Sequence, residues 1–335
     1  SSGSAFLLNR SSDLYGSRAD PSPSRLSLWL PLLPLVIAAI FVIVSPRESI
    51  IEAPVIVTGG LLVAAALIRQ LMQGDDLIGR ERKVRLLADR LNDQLASAAH
   101  YVASILPGDL TGPVSVQSRY LPSRAVGGDC FGYTWIDEDH FIVYLIDVSG
   151  HGVKPALLSV SIHNLLRSES LAREILLAPD HLFAELNSRF SRKKQDGHYF
   201  TMWFGVYQPS TGVLRYASAG QPPPLILGAK DHPTVMMLPN SDGLPLGMMA
   251  GSEYGAESWT VPAGSQLLLY SDGVIGESSR LADFDALCAR LAETSDDWLQ
   301  ALVRVLPVND DGDYQDDCSL VLLTFPVENE SVDAR

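Results

Sequence analysis

The chain has 335 residues, is 47% apolar and carries a net charge of -14. That composition supports a sizeable core and excludes wholesale disorder. Residues 1–85 hold 9 basic and 7 acidic side chains, residues 86–335 hold 16 and 32; so acidic a C-terminal part argues against a nucleic-acid partner and is compatible with cation binding.

Residues 1–25 are rich in Ser, Pro and Arg and read as a disordered cytoplasmic tail. Residues 26–44 then form a run of 19 without a charge. As a helix at about 1.5 Å per residue it is about 28 Å long, enough to cross a hydrocarbon core. A second apolar run covers 50–68, with Glu52 at its edge. The expectation is a two-helix membrane hairpin over 26–72. The competing readings are a buried core hairpin and, for the first run, a cleaved signal peptide. The run is long for a signal peptide and lacks a clear small-residue cleavage site. Arg10, Arg18 and Arg25 precede the first run, and Arg69, Arg80, Arg82, Lys83 and Arg85 follow the second; the connecting loop has only Arg47. The positive-inside rule therefore puts both termini, and all that follows the hairpin, on the cytoplasmic side of the membrane.

Residues 76–107 are expected as a linker helix. Val84, Ala88, Leu91, Leu95, Ala98, Val102 and Ile105 alternate spacings of four and three, a heptad seam of about three repeats. Pro107-Gly108 ends it. The seam supports a homodimeric coiled coil and, equally, an amphipathic helix lying on its own domain.

The domain expected over 108–327, followed by a tail at 328–335, mixes α and β. Strands are expected at 114–120, 130–136, 141–147, 201–207, 213–219, 224–227, 234–238, 266–270 and 319–325, and helices at 154–168, 180–194, 283–292 and 298–306. The short polar links at 137–140 and 208–212 read as hairpin connections, so the sheets should be largely antiparallel. Hairpins with interspersed helices point to an α+β layered sandwich, sheets inside and helices outside. Cys130, Cys288 and Cys318 are scattered and form no CxxC pair. They read as reduced, buried thiols, with no zinc site.

Four places set an acid at the border of an apolar strand and small residues. They are VGGDC (Asp129), LIDVSGHG (Asp147), LLLYSDGV (Asp272) and YQDDCSLVLL (Asp316, Asp317). Each alone reads as a turn or a helix cap. Together, carboxylates brought to one place by sheet pairing would repel in a low dielectric, and a cation removes that cost. An all-oxygen set selects a hard ion, Mg²⁺ or Mn²⁺. Two such ions are the usual device for phosphoester hydrolysis.

The ordered strings GGD, DVSGHG, FxTMxxGxY (Phe200 to Tyr207), ASAGQPPPLIL, GLPLGM, LLLYSDGVIGE and DDCSLVLL resemble the PP2C-like (PPM) serine/threonine phosphatases, and more narrowly their SpoIIE/RsbU branch. The resemblance runs from about Arg119 to Phe325, roughly two-thirds of the chain. It implies an αββα sandwich of two antiparallel sheets flanked by helices. It implies that Asp147 bridges two Mn²⁺ or Mg²⁺ ions, with the Val148 carbonyl as a further ligand. Asp272 and Asp316 would be the later metal aspartates, with Asp317 the alternative to Asp316, and Asp129 would open the site. The implied reaction is in-line attack of metal-activated water on phosphoserine or phosphothreonine. The implied substrate is a phosphorylated STAS anti-anti-sigma protein in partner switching that controls a sigma factor.

The branch usually reads GGDxxD, whereas Gly132 stands here at the second acid. That departure keeps a second expectation open, a weakly active or non-catalytic scaffold that binds a STAS partner without turnover. His151 reads as a residue that orients water or acts as general acid, or only shapes its turn. Arg124 reads as a phosphate-binding fork or a surface ion pair. A Ser149–His151 hydrolase arrangement is set aside, since no GxSxG elbow exists.

Overall fold

The computed structural model describes residues 40, 52–123, 126–150, 152–191, 195, 197–228, 235–240, 243–275, 288, 298–306, 308 and 314–326. Residues up to Asp89 and those from Arg90 onward form two units, each described by itself.

Helix α1 (Glu52–Ile105) is uninterrupted over 54 residues. Residues 52–72 of the expected hairpin and nearly all of the expected linker helix at 76–107 lie on this one helix, which continues through 73–75. Gly74 there costs only about 1 kcal/mol in a helix interior, too little to end a long helix. Pro107 does end it, because the residue before a proline is driven from the α region. Among the described residues no helix is long and apolar enough to cross a membrane. The apolar run at 26–44 lies outside them apart from Ile40.

The heptad seam divides along its length. Val84 and Leu91 are 65% and 56% exposed. From Leu95 on, the seam packs on its own unit: Val102 is buried with Val126, Ala156 and Val160, and Leu95, Ala98 and Ile105 lie against them. The amphipathic reading holds for the last three turns.

The second unit contains β1 (Ser115–Leu121), β2 (Cys130–Asp137), β3 (His140–Val148), α2 (Val153–Arg167), α3 (Arg173–Leu176), α4 (Pro179–Arg189), β4 (Phe200–Gln208), β5 (Val213–Ala219), β6 (Leu225–Leu227), β7 (Val235–Met237), β8 (Glu257–Thr260), β9 (Gln266–Tyr270), α5 (Asp272–Ile275), α6 (Trp298–Val305) and β10 (Cys318–Thr324). One sheet runs β1-β10-β9-β6-β7, the other β2-β3-β4-β5-β8. Every pairing is antiparallel.

Local chemistry explains the elements. β3 reads HFIVYLIDV, a β-branched and aromatic run buried almost throughout. Asp137 closes the β2–β3 turn by accepting the Asp139 N–H at 2.8 Å. Pro179 stands at the start of α4, where no N–H is needed. β8 was not expected. Three of its four residues are exposed and it pairs only with β5 at a sheet edge, so it carries no apolar alternation.

Strand periodicity sorts the core into layers. Phe131, Val143, Leu145, Leu267, Leu269, Val321 and Leu323 form one cluster between the two sheets. The alternate residues turn outward to the helices. Tyr144, Ile146, Ile162 and Phe183 cover one sheet; Leu268, Tyr270, Leu299 and Leu322 cover the other. The expected αββα layering is what forms. The helix expected at 283–292 lies outside the described residues except for Cys288.

Candidate active site

The period-two pattern that sorts the core also gathers the acids. Asp147 follows Leu145 by two positions, and Asp129 precedes Phe131 by two. Ser271 follows Leu269 by two; Ser319 and Asp317 precede Val321 by two and four. All are in phase with side chains of the intersheet core. The core therefore ends in polar groups at one edge. Cys130 pairs with Ile146 in the β2–β3 register, so one further step sets Asp129 opposite Asp147. On the facing sheet Ser271 N–H donates to the Ser319 carbonyl at 3.1 Å, bringing Asp272 and Asp316 to the same end.

The electrostatics show this convergence. Asp129, 1% exposed, is held well above the ordinary carboxylate range by burial and by Asp147, with Ser271 and Ser319 hydroxyls opposing. Burial, then Asp272, Asp316 and Asp317, pushes Asp147 up to about 7. Asp272 is raised by burial and by Asp316. Burial, followed by Asp317 and Asp129, also raises the Tyr120 phenol. The main perturbers, burial aside, are carboxylates acting on one another.

Asp316 and Asp317, adjacent in sequence, have different work. Asp317 is 5% exposed. Its Oδ1 accepts the Ser123 N–H at 2.9 Å and the Ser123 hydroxyl at 3.0 Å, and its Oδ2 accepts the Gly128 N–H at 2.7 Å. It pins the loop that carries Asp129. Asp316 is exposed, and its carboxylate accepts the Asp317 N–H at 2.8 Å. The geometry leaves Asp316 the more open carboxylate.

Glycine makes this crowding sterically feasible. A Cβ on Gly127 would fall 2.5 Å from Asp317 Oδ2, and one on Gly273 would fall 2.2 Å from the Asp317 carbonyl oxygen. A Cβ on Gly128 would sit 2.7 Å from the Val148 carbonyl oxygen. Gly132 is different. It pairs with Tyr144, and a Cβ there would meet the Tyr144 ring at 2.4 Å. Three residues along a strand from Asp129, it is on the helix side of the sheet.

The donor chemistry fits a hard divalent cation: oxygen only, mutually repelling, and with Asp129 Oδ2 buried without a hydrogen-bond partner. As the side chains stand, no three His, Cys, Asp or Glu groups among the described residues are close enough together to hold one. Arg124 and His151 lie outside the described residues.

Sequence reasoning missed the groups that support the acids. Thr201 Oγ1 donates to the Asp147 carbonyl at 3.4 Å, and Gln221 Nε2 donates to Thr201 Oγ1 at 2.9 Å. His198 Nδ1 donates to the Ser149 carbonyl at 2.8 Å. Ser271 and Ser319 each adjoin or nearly adjoin a flagged acid, and their strand phase was the available signal.

The family model described as Stage II sporulation protein E (SpoIIE) matches residues 137–326. That span includes Asp147, Asp272, Asp316 and Asp317 and begins after Asp129. Phosphoserine phosphatase RsbP of Bacillus subtilis (strain 168) is 30% identical over 178 residues, 52% of this chain and 43% of that protein. The chain thus spans less than half the length of that relative. The solved RsbU and RsbW domains of Rv1364c from Mycobacterium tuberculosis match with a TM-score of 0.52 at 25% identity, covering 64% of this chain and 60% of that one. The SiaA-PP2C domain of Pseudomonas aeruginosa matches in fold with a TM-score of 0.59 at 18% identity, covering 71% of this chain and 98% of that one.

Proposed function

The chain belongs to the SpoIIE family, and from that premise we propose that it is a metal-dependent protein serine/threonine phosphatase. The observation that carries this is the set of acids from both sheets, Asp129, Asp147, Asp272 and Asp316, at one end of the intersheet core, where the first three are held above the ordinary carboxylate range by burial and by neighbouring carboxylates. The name of the Bacillus subtilis relative, a phosphoserine phosphatase, supports the substrate class.

Asp129, Asp147, Asp272, Asp316 and the Val148 carbonyl would hold two Mn²⁺ or Mg²⁺ ions, which would neutralise phosphoryl charge and ease ionisation of the attacking water. The chain's own groups prepare that site. Burial and the neighbouring Asp147 hold Asp129 above the ordinary carboxylate range, so a cation bound there would relieve the repulsion between the two acids. Gly150 and Gly152, at φ 90° and 100°, turn the chain where bulky side chains would obstruct a phosphoryl group. α2 then starts without a side-chain cap; its first-turn amides and dipole favour an anion.

The substrate in this reading is a phosphorylated STAS-type protein in partner switching, and the enzyme is anchored at the bacterial cytoplasmic membrane by an apolar hairpin, with both termini in the cytoplasm. The uncharged run at 26–44 and the arginine asymmetry support the anchor. A reporter fused after Arg335 tests it: an extracytoplasmic signal would reject the orientation. Phosphate release from a phosphoserine STAS protein, with and without Mn²⁺, tests the activity. Metal-dependent release is expected. A folded protein that binds the STAS partner and releases nothing would favour the scaffold reading, which the lack of a closed three-ligand cluster among the described residues keeps in view.

A further inference from the structure

Ser149 stands between the Val148 carbonyl and the Gly150 turn, and the start of β4 holds it from three sides. Its N–H donates to the Tyr199 carbonyl at 2.9 Å. Its hydroxyl oxygen accepts the Tyr199 N–H at 3.1 Å. Its carbonyl accepts from His198 Nδ1 at 2.8 Å. The first continues the β3–β4 ladder by one step past the Val148–Phe200 pair. The third lies outside the ladder, and only the side chain of His198 makes it.

His198 is aimed by its own turn. Its N–H donates to the Gln195 carbonyl at 2.9 Å, and Gly197 closes the turn at φ 93°, where an L side chain would be strained. The imidazole lies against the bare backbone of Gly150: a Cβ there would touch Cε1 at 3.7 Å and Nδ1 at 3.9 Å. The ring also borders an open cavity of about 330 Å³ shared with Lys154, Leu157 and Phe190. A carbonyl can only accept, so Nδ1 carries the proton in this bond.

We propose that His198 is a positioning residue for the phosphatase site, its Nδ1–H fixing the Ser149–Gly150 peptide and so the direction in which the chain leaves Val148. The proposal rests on the phosphatase reading given above. Gly150 offers no Cβ to brace the peptide it shares with Ser149, so the orientation of that peptide rests on the hydrogen bonds that Ser149 makes. One hydrogen bond on a part-exposed ring contributes little to global stability. Its effect is expected on the geometry of the site, where small displacements cost large factors in rate.

The test uses the full chain and three variants: H198A, H198N, whose amide nitrogen falls where Nδ1 was, and H198Q, whose amide nitrogen falls where Nε2 was. Mn²⁺ affinity is read from free-ion electron paramagnetic resonance without substrate, turnover from p-nitrophenyl phosphate, and folding from Tm. H198A should bind Mn²⁺ several-fold more weakly and lose at least about tenfold in kcat, with Tm within a few degrees of wild type. H198N should recover most of both losses and H198Q neither. H198A within twofold of wild type in both readouts would overturn the proposal, as would H198N no better than H198Q. Wild-type protein that binds Mn²⁺ but releases no phosphate would reject the phosphatase reading, and the Mn²⁺ affinities of the variants would still decide the role of His198.

Discussion

Asp317 Oδ2 accepts the Gly128 amide at 2.7 Å across 189 positions of sequence, tying the loop before β2 to the start of β10. This bond separates two neighbouring acids by function. Asp317→Ala removes the acceptor for three donors and leaves the buried Gly128 N–H unpaired, so it should destabilise by about 1–3 kcal/mol. Asp316→Ala should leave Tm nearly unchanged while weakening Mn²⁺ binding and turnover. Equal thermal losses in both variants would show that the two acids share one structural role.

Asp147→Asn should reduce turnover by about 10²–10³-fold or more, as expected when a charge-stabilising centre is lost. Its stability should move the other way. Asp147 is buried among like charges, so in chelator its amide variant should melt at or above wild type near neutral pH. Phosphate release and calorimetry on the same samples check both. A variant that is inactive because it is unfolded would refute this account.

The pH dependence has a definite sign. Asp147 titrates near 7 in the folded chain, against an ordinary value of 3.8. Between those values the folded state holds a proton that the unfolded chain has released. This contribution to stability is therefore complete below about pH 4 and is lost as pH rises through about 7. Asp129, also raised, acts in the same direction. In chelator, Tm should fall from about pH 5 to about pH 8, and Mn²⁺ should raise it more at the upper end. A Tm that rises over this window without metal would contradict the assignment.

Gly132 faces Tyr144, whose hydroxyl meets His163 Nδ1 at 3.1 Å in the helix-side layer. Gly132→Ala should cost about 1–3 kcal/mol by overpacking against that ring. Adding Tyr144→Ala should recover part of the loss, a coupling that denaturant melts of the four proteins would measure. Gly132→Asp should lower stability without improving Mn²⁺ affinity. A gain in affinity would mean that this position reaches the acids after all.

Much of the fold was legible because strands announce themselves by alternation. The nine expected strands form within a residue or two of their expected bounds. β8 was illegible because an exposed edge strand has no buried face to mark it. The supporting shell was illegible for another reason. Thr201, Gln221, Ser271, Ser319 and His198 are ordinary polar residues until the register of separate strands sets them against Asp147, Asp129 and Ser149.

The sequence by itself determined which residues alternate inward, that two strand pairs are hairpins and the sheets therefore largely antiparallel, and that four places end a strand in an acid. Tertiary structure decided which acids face the intersheet core, that Asp317 is a pin and Asp316 the open carboxylate, and that Gly132 belongs to the helix side. The reason is physical. Periodicity is a property of one strand and can be read along it, whereas hydrogen-bond partners and mutual repulsion depend on the register between strands far apart in the chain.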